Sequence, residues 1–319
     1  MEHICNMKLI TLLIPAYNEQ EVLEPLFERL DTLAKSTKHY QFEFLFVNDG
    51  SRDDTLEIIK QRAEKDSRIS YLNLSRNFGK EIAMVAGFDH VKSDCMVIID
   101  ADLQDPPELI PEMLKWWEEG YDDVYAKRRS RDGETWLKKT TSKLYYRMLQ
   151  RATNIPIQTD TGDFRLLDQR VVEAICQYRE SQRNAKAIFS QVGFAKKEIL
   201  YDRDPRAAGE TKWSYPKLVD LAISGITSFT TAPLRIASIL GFVVSFAAFI
   251  YILYLLIRPL FGVPTGDGYS SIMATILFLG GIQLISLGII GEYIARIFTE
   301  TKQRPLYFVE EYHRGKHTR

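Results

Sequence analysis

The sequence predicts an α/β domain built on a mainly parallel sheet, followed by two membrane-spanning helices. Three observations carry this. Short apolar runs alternate with helix-length amphipathic stretches through the first third of the chain, which is the pattern of consecutive βαβ units. A polar cluster follows each apolar run, where open α/β sheets bind ligands, outside the carboxyl ends of their strands. Two uncharged runs come later: Ile236 to Ile257 (22 residues) and Tyr269 to Gly291 (23 residues). Each can cross a ~30 Å hydrocarbon core as a helix.

Lys8 to Ala16 is the first strand, and Asn18-Glu19-Gln20-Glu21 then opens a helix with Asn18 as its cap and an acidic first turn. Phe42 to Val47 is the second strand, ending in Asn48-Asp49-Gly50-Ser51, and Asp53-Asp54 leads into a helix through Lys65. Ile69 to Leu74 is the third, followed by Ser75-Arg-Asn-Phe-Gly79-Lys80 and a helix over Glu81 to Val91. The fourth, Met96-Val-Ile-Ile, delivers Asp100 and Asp102 at its carboxyl end, before Leu-Gln104-Asp105-Pro-Pro107. Thr135 to Thr153 reads as a basic, aromatic helix, and Trp213 to Phe229 as a second amphipathic one. Both suit the headgroup layer of a bilayer.

Net charge is −1 over 319 residues, so no global field favours nucleic acid as a partner. The mean hydropathy of −0.17 hides the split between a charged first part and the two apolar runs. Cys5, Cys95 and Cys176 form no Cys-x-x-Cys pair and fit a reducing cytosol better than a disulfide framework or a zinc site. Basic residues flank the spans on one side only: Lys212, Lys217 and Arg235 before, and Arg296, Lys302, Arg304, Arg314, Lys316 and Arg319 after. The short connection Arg258 to Gly268 holds one Arg and one Asp. The positive-inside rule therefore predicts a cytoplasmic N-terminal domain, both termini in the cytoplasm and an external loop. The expected division is a cytosolic domain over 1–205, a basic loop and interfacial helix over 206–235, the two spans over 236–294 and a cytosolic tail over 295–319.

Asp100-x-Asp102 at a strand end is a hard-oxygen site suited to Mg²⁺ or Mn²⁺ held against a diphosphate, with Gln104 as a third oxygen donor. Asp49 offers an acceptor-only carboxylate for an imide N–H such as that of uracil, and an Asx turn with Gly50 is compatible with this. Glu19 can accept from ribose hydroxyls and Tyr17 can pack on the base. Asp163, in Gly162-Asp-Phe-Arg165, reads either as a turn residue or as a third functional acid. Arg203, Arg206, Gly209, Thr211 and Lys212 form a Gly-hinged cationic loop suited to clamping a phosphate. Arg128, Lys138 and Ser142 complete such a pocket from the other side.

The order PAYNE (15–19), NDGS (48–51), NFGK (77–80), DADLQDPP (100–107), GDFR (162–165) and RAAGETK (206–212), then two spans and GEYIAR (291–296), resembles a family-2 glycosyltransferase of GT-A fold. More narrowly it is similar to polyprenyl-phosphate glycosyltransferases: the bactoprenol glucosyltransferases found with phage O-antigen modification genes and, further off, dolichyl-phosphate mannose synthase. The resemblance runs from Lys8 to Phe308. It implies that Pro15, Tyr17, Glu19, Asp49, Lys80, Asp100 and Ala101 bind the nucleotide sugar, and that Asp100, Asp102 and Gln104 bind the metal. It further implies that Arg128, Lys138, Ser142, Arg206 and Lys212 bind the lipid phosphate, with Asp163 and Asp102 catalytic. Lys138 stands where the mannose synthases have Arg, a point charge in place of a bidentate fork.

The implied reaction is inverting transfer of glucose from UDP-glucose to undecaprenyl phosphate at the bacterial inner membrane. It makes a lipid-linked donor for O-antigen or other cell-surface glycan modification. Mannose or an aminoarabinose derivative is the alternative sugar, and a nucleotide-sugar sensor the non-enzymatic alternative. A processive polysaccharide synthase lacks support, because no Gln-x-x-Arg-Trp motif is present. The resemblance implies a homo-oligomer, a tetramer being the size expected, and Gly280, Gly281, Gly288 and Gly291 could pack spans closely.

Overall fold

The computed structural model describes residues 7–129, 161–181, 183–202, 231–257 and 268–316. The chain divides into two compact units. One comprises Met1–Tyr146, Ile155–Trp213 and Pro305–Arg319 and holds the sheet; the other comprises Arg147–Asn154 and Ser214–Arg304 and holds the apolar helices.

The sheet strands are β1 (Leu9–Ala16), β2 (Gln41–Asn48), β3 (Ile69–Leu74), β4 (Cys95–Ile98), β5 (Asp123–Arg128), β6 (Thr161–Asp168), β7 (Lys196–Tyr201) and β8 (Val309–His313). Their order is β7-β5-β6-β4-β1-β2-β3-β8. The four strands β3-β2-β1-β4 are mutually parallel, as is β5 with β7, while β6 runs antiparallel to β4 and β5, and β8 antiparallel to β3. Between the central strands run α1 (Leu23–Ser36), α2 (Thr55–Lys65) and α3 (Lys80–His90); α4 (Ile110–Glu118), α5 (Gln169–Cys176) and α6 (Ala185–Gln191) serve the other half. The central strands read as continuous apolar runs because both faces of the sheet are covered. Ile10, Leu12 and Ile14 pack in one core with Leu26 and Leu30 of α1, and Leu13 packs in the other with Met84 and Phe88 of α3.

Because β1 has β2 on one side and β4 on the other, successive crossovers diverge there. The strand ends at that divergence open a crevice.

Two boundaries differ from the sequence expectation. The first helix begins at Leu23, and its N-cap position is Val22, with no side-chain cap. Asn18 instead takes a left-handed backbone (φ 56°) and accepts from the Arg52 N–H at 2.8 Å, while the Glu19 N–H donates to Thr55 Oγ1 at 2.8 Å. The polar residues that resemble a cap thus stitch the β1 and β2 loops together. The segment expected as a tail carries β8, which covers the free edge of β3.

In the second unit, α7 (Ala232–Ile257) and α8 (Tyr269–Thr301) are long and apolar enough to cross a membrane, by length and composition. Large apolar side chains along both stand exposed, among them Phe242, Phe246, Leu277, Leu284 and Ile285. Such a continuous patch marks an apolar surrounding or partner. The second helix runs ten residues beyond Gly291, and Arg296 pairs there with Glu292 at 2.8 Å.

Candidate active site

At the divergence of the sheet, the ends of β1, β2 and β4 and the start of α3 enclose a cavity of about 300 Å³. It is lined by Pro15, Ala16, Tyr17 and Glu19 from the first loop, Asp49 from the second, Asn77, Gly79, Lys80 and Ala83 from the third, and Asp100, Ala101 and Asp102 from the fourth. All eight residues the sequence nominates for the nucleotide sugar and the Asp-x-Asp pair therefore share one cavity. Asn77, Gly79, Ala16 and Ala83 were not nominated; the first two lie within the quoted Asn-Phe-Gly-Lys stretch.

Asp49 is almost fully buried, and its two oxygens accept from the Phe78 and Gly79 N–H groups at 2.7 and 2.9 Å. Burial pushes its carboxyl above the usual range, and the two N–H donors offset only part of that. The carboxylate thus holds the Ser75–Lys80 loop in place, and each oxygen keeps a second lone pair. Gly50 is pressed against the same loop: its φ is +63°, and a Cβ there would overlap the Arg76 and Asn77 backbone.

Tyr17 is 40% exposed at the mouth, free to stack on a planar ligand. The Asp102 turn is secured from behind. Asp102 Oδ1 accepts from the Gln104 N–H at 3.2 Å, and Leu103 between them is left-handed (φ 62°). The Leu103 carbonyl accepts from Arg29, which also holds Glu108 at 2.6 Å. Gln104 lies on this turn but is not part of the cavity lining.

Asp163 sits on a strand, near the start of β6, and not in a loop as Gly162 beside it suggests. Its neighbour across the site is Lys80, whose Nζ lies 2.6 Å from Asp163 Oδ2 and 2.6 Å from Asp100 Oδ1. Burial works against the charge on Asp163, yet Lys80 prevails and holds its carboxyl below the usual range. Burial likewise opposes the Lys80 ammonium, and Asp100 with Asp163 outweighs it. This bridge was illegible in the sequence, since only the antiparallel placement of β6 beside β4 brings Asp163 near Asp100.

Behind the bridge, burial and the nearby Asp163 push the Glu81 carboxyl up to about 7, while its Oε2 accepts from the Ala185 N–H at 2.9 Å. A folded pKa above the ordinary one means stability is highest with the group protonated and falls as pH rises from the ordinary value towards 7. Glu81→Gln keeps an acceptor oxygen and removes the charge. It should melt higher than the parent at about pH 8 and match it near about pH 5. Equal melting temperatures at the higher pH would show that Glu81 carries no uncompensated charge.

Arg128 ends β5 outside the cavity lining, with its Nε buried and lacking a hydrogen-bond partner. Its guanidinium engages Tyr201, whose hydroxyl donates to the buried Asp105 at 2.8 Å. Lys138, Ser142, Arg206 and Lys212, and with them the cationic loop and both proposed interfacial helices, lie outside the described residues. Among the described residues no group of three or more His, Cys, Asp or Glu side chains is placed to hold a metal alone.

Residues 11–176 match the profile of glycosyl transferase family 2. The chain belongs to that family. Residues 232–297, covering α7 and most of α8, match a second profile, the GtrB C-terminal hairpin. Among curated relatives, an uncharacterized glycosyltransferase of Synechocystis is 48% identical over 95% of both chains. The prophage bactoprenol glucosyl transferase homolog of Escherichia coli is 42% identical over 94% of this chain and 98% of its own. The SfII prophage-derived bactoprenol glucosyl transferase of Shigella flexneri is 42% identical over 96% and 99%. This family-2 glycosyltransferase aligns with these relatives over nearly the whole of both sequences.

Proposed function

We propose that this glycosyltransferase moves glucose from UDP-glucose to undecaprenyl phosphate on the cytoplasmic face of the bacterial inner membrane, inverting the anomeric centre. The observation that carries the reading is the single cavity in which Asp49, Glu19 and Tyr17 meet Asp100, Asp102 and Lys80. The near full-length similarity to bactoprenol glucosyl transferases and the apolar hairpin support the acceptor.

Tyr17 packs on the base, Glu19 accepts from the ribose, and a remaining lone pair of Asp49 accepts from the imide N–H. Asp100 and Asp102 fit a divalent ion, Mg²⁺ or Mn²⁺: both are hard oxygen donors facing one cavity, and Asp100 already holds a cation, the Lys80 ammonium. When bound, such an ion offsets negative charge on the diphosphate leaving group. Gln104, on the turn outside the cavity lining, would supply a further oxygen to such an ion.

A lipid-phosphate oxygen attacks the anomeric carbon from the face opposite the departing UDP. That oxygen is already anionic at neutral pH, so Asp163 serves to orient Lys80 and the acceptor more than to remove a proton. Arg128, Lys138, Ser142, Arg206 and Lys212 offset repulsion between the two phosphates that meet. The hairpin anchors the enzyme in the membrane that holds the acceptor, with both ends of the chain cytoplasmic and the subunits assembled as a homo-oligomer.

The test is transfer of labelled sugar into organic-extractable lipid by the purified protein. It is run with undecaprenyl phosphate, Mg²⁺ or Mn²⁺, and UDP-glucose, UDP-galactose or GDP-mannose in parallel. Label from UDP-glucose alone is expected. Label from another donor would replace the sugar, and no lipid product from any donor would remove the acceptor.

A further inference from the structure

The segment after α8 returns to the sheet. β8 pairs with β3 through Tyr71↔His313, Leu72↔Tyr312 and Asn73↔Glu311, and the register then shifts so that Leu74 faces Val309. Glu310 is left as the extra residue of a bulge, a device that re-aims a side chain. Its Oε2 accepts from Asn73 Nδ2 at 3.0 Å, and Asn73 Oδ1 accepts from Asn48 Nδ2 at 2.8 Å. Asn48 and Asn73 are both buried, and Asn48 directly precedes Asp49, the residue that grips the Phe78 and Gly79 N–H groups. Just before the bulge, the Phe308 carbonyl accepts from the Ser75 N–H at 3.0 Å. The Ser75–Lys80 loop is thus tied to the returning segment at its first residue directly, and at Phe78 and Gly79 through the Glu310–Asn73–Asn48 chain.

We propose that Tyr307–Gly315 positions this loop for the donor, with Glu310 and Phe308 as positioning residues, so that nucleotide affinity depends on a strand the chain reaches only after its last apolar helix. The segment is well anchored for this. Tyr307 donates to Asp89 at 2.8 Å, Glu311 accepts from Tyr71 at 2.7 Å, and the Gly315 N–H donates to Ser70 Oγ at 3.0 Å. Asn48 and Asn73 are buried, Glu310 stands exposed at the outer end of the chain, and Asn48 Oδ1 is buried without a hydrogen-bond partner among the described residues. The two bonds from Asn48 to Asn73 and from Asn73 to Glu310 therefore hold the arrangement. A loop already held in its bound form binds without the cost of ordering it.

The inference rests on the donor-pocket reading above, and its test separates the two. In the full-length protein, Glu310→Ala is expected to weaken UDP binding by about tenfold and to speed amide exchange at Phe78 and Gly79. Glu310→Gln keeps an acceptor oxygen and should restore both. Turnover at saturating donor should stay near the parent's. A strand that only caps the sheet edge would lower the melting temperature and leave UDP affinity and loop exchange alone, which overturns the proposal. In the full-length protein, Asn73→Ala breaks the same chain at its middle and serves as the second variant; unchanged UDP affinity and loop exchange in it overturn the proposal as well. A parent protein that fails to bind UDP sinks the donor reading, while exchange at Phe78 and Gly79 still decides this one.

Discussion

Asp102→Asn is expected to lower sugar transfer by roughly a thousandfold, the scale of removing one preorganised electrostatic group from a transition state. The substitution is nearly isosteric. Asn keeps an Oδ1 able to accept from the Gln104 N–H, so the turn that Arg29 and Glu108 secure should persist. Only the charge is lost, and with it half of the carboxylate pair on the cavity wall. Expression and melting temperature should match the parent while labelled lipid falls to background. Turnover near the parental rate would remove Asp102 from the metal-binding set and leave Asp100 to act without it.

The second large effect is on stability. Arg165 and Asp123 are both fully buried, paired at 3.1 Å, and the guanidinium lies 3.9 Å from the Phe189 ring centroid. Burial pushes the Asp123 carboxyl up, and Arg165 and Lys196 counter it. Asp123→Ala removes the buried carboxylate that faces the buried Arg165 guanidinium, and breaking such a pair costs about 3–5 kcal/mol. A melting temperature lower by roughly 10 °C follows for a domain of this size. Replacing both partners, as Asp123→Leu with Arg165→Met, should recover most of the loss, because two desolvated charges disappear together. If the single variant melts like the parent, water must reach the pair on replacement. Arg165 also lies two residues beyond Asp163 on β6, opposite Ile98 of β4, so the loss should reach the Lys80 bridge.

Much of this architecture was legible in advance, for a physical reason. The strands β1 to β4 are buried on both faces and announce themselves as unbroken apolar runs, and the residues that end each run must sit at the crevice. Tyr17, Asp49, Asp100 and Asp102 could therefore be placed together from their positions alone. The bridge from Lys80 to Asp163 could not, because it depends on which strand lies beside β4. Val309–His313 was equally hidden. Val-Glu-Glu-Tyr-His is short, polar and exposed, and its partner lies far away, with Tyr71 and Glu311 separated by 240 positions. Asn18 misled for a different reason: cap residues and loop-stitching residues are chemically the same, and packing between two loops decided the outcome.

The late arrival of β8 has a consequence for how the protein is made. While the ribosome is still building the apolar hairpin, β3 presents an unpaired row of N–H and C=O groups, and such an edge recruits other extended chains. The gap closes only when Val309–His313 has been synthesised and can fold back. Contacts between positions so far apart in sequence form slowly. Any delay in placing the hairpin in the bilayer therefore lengthens the interval in which nascent chains can pair with one another. Chains that stall or are cut before Val309 should be cleared as misfolded material, with the sheet domain otherwise complete.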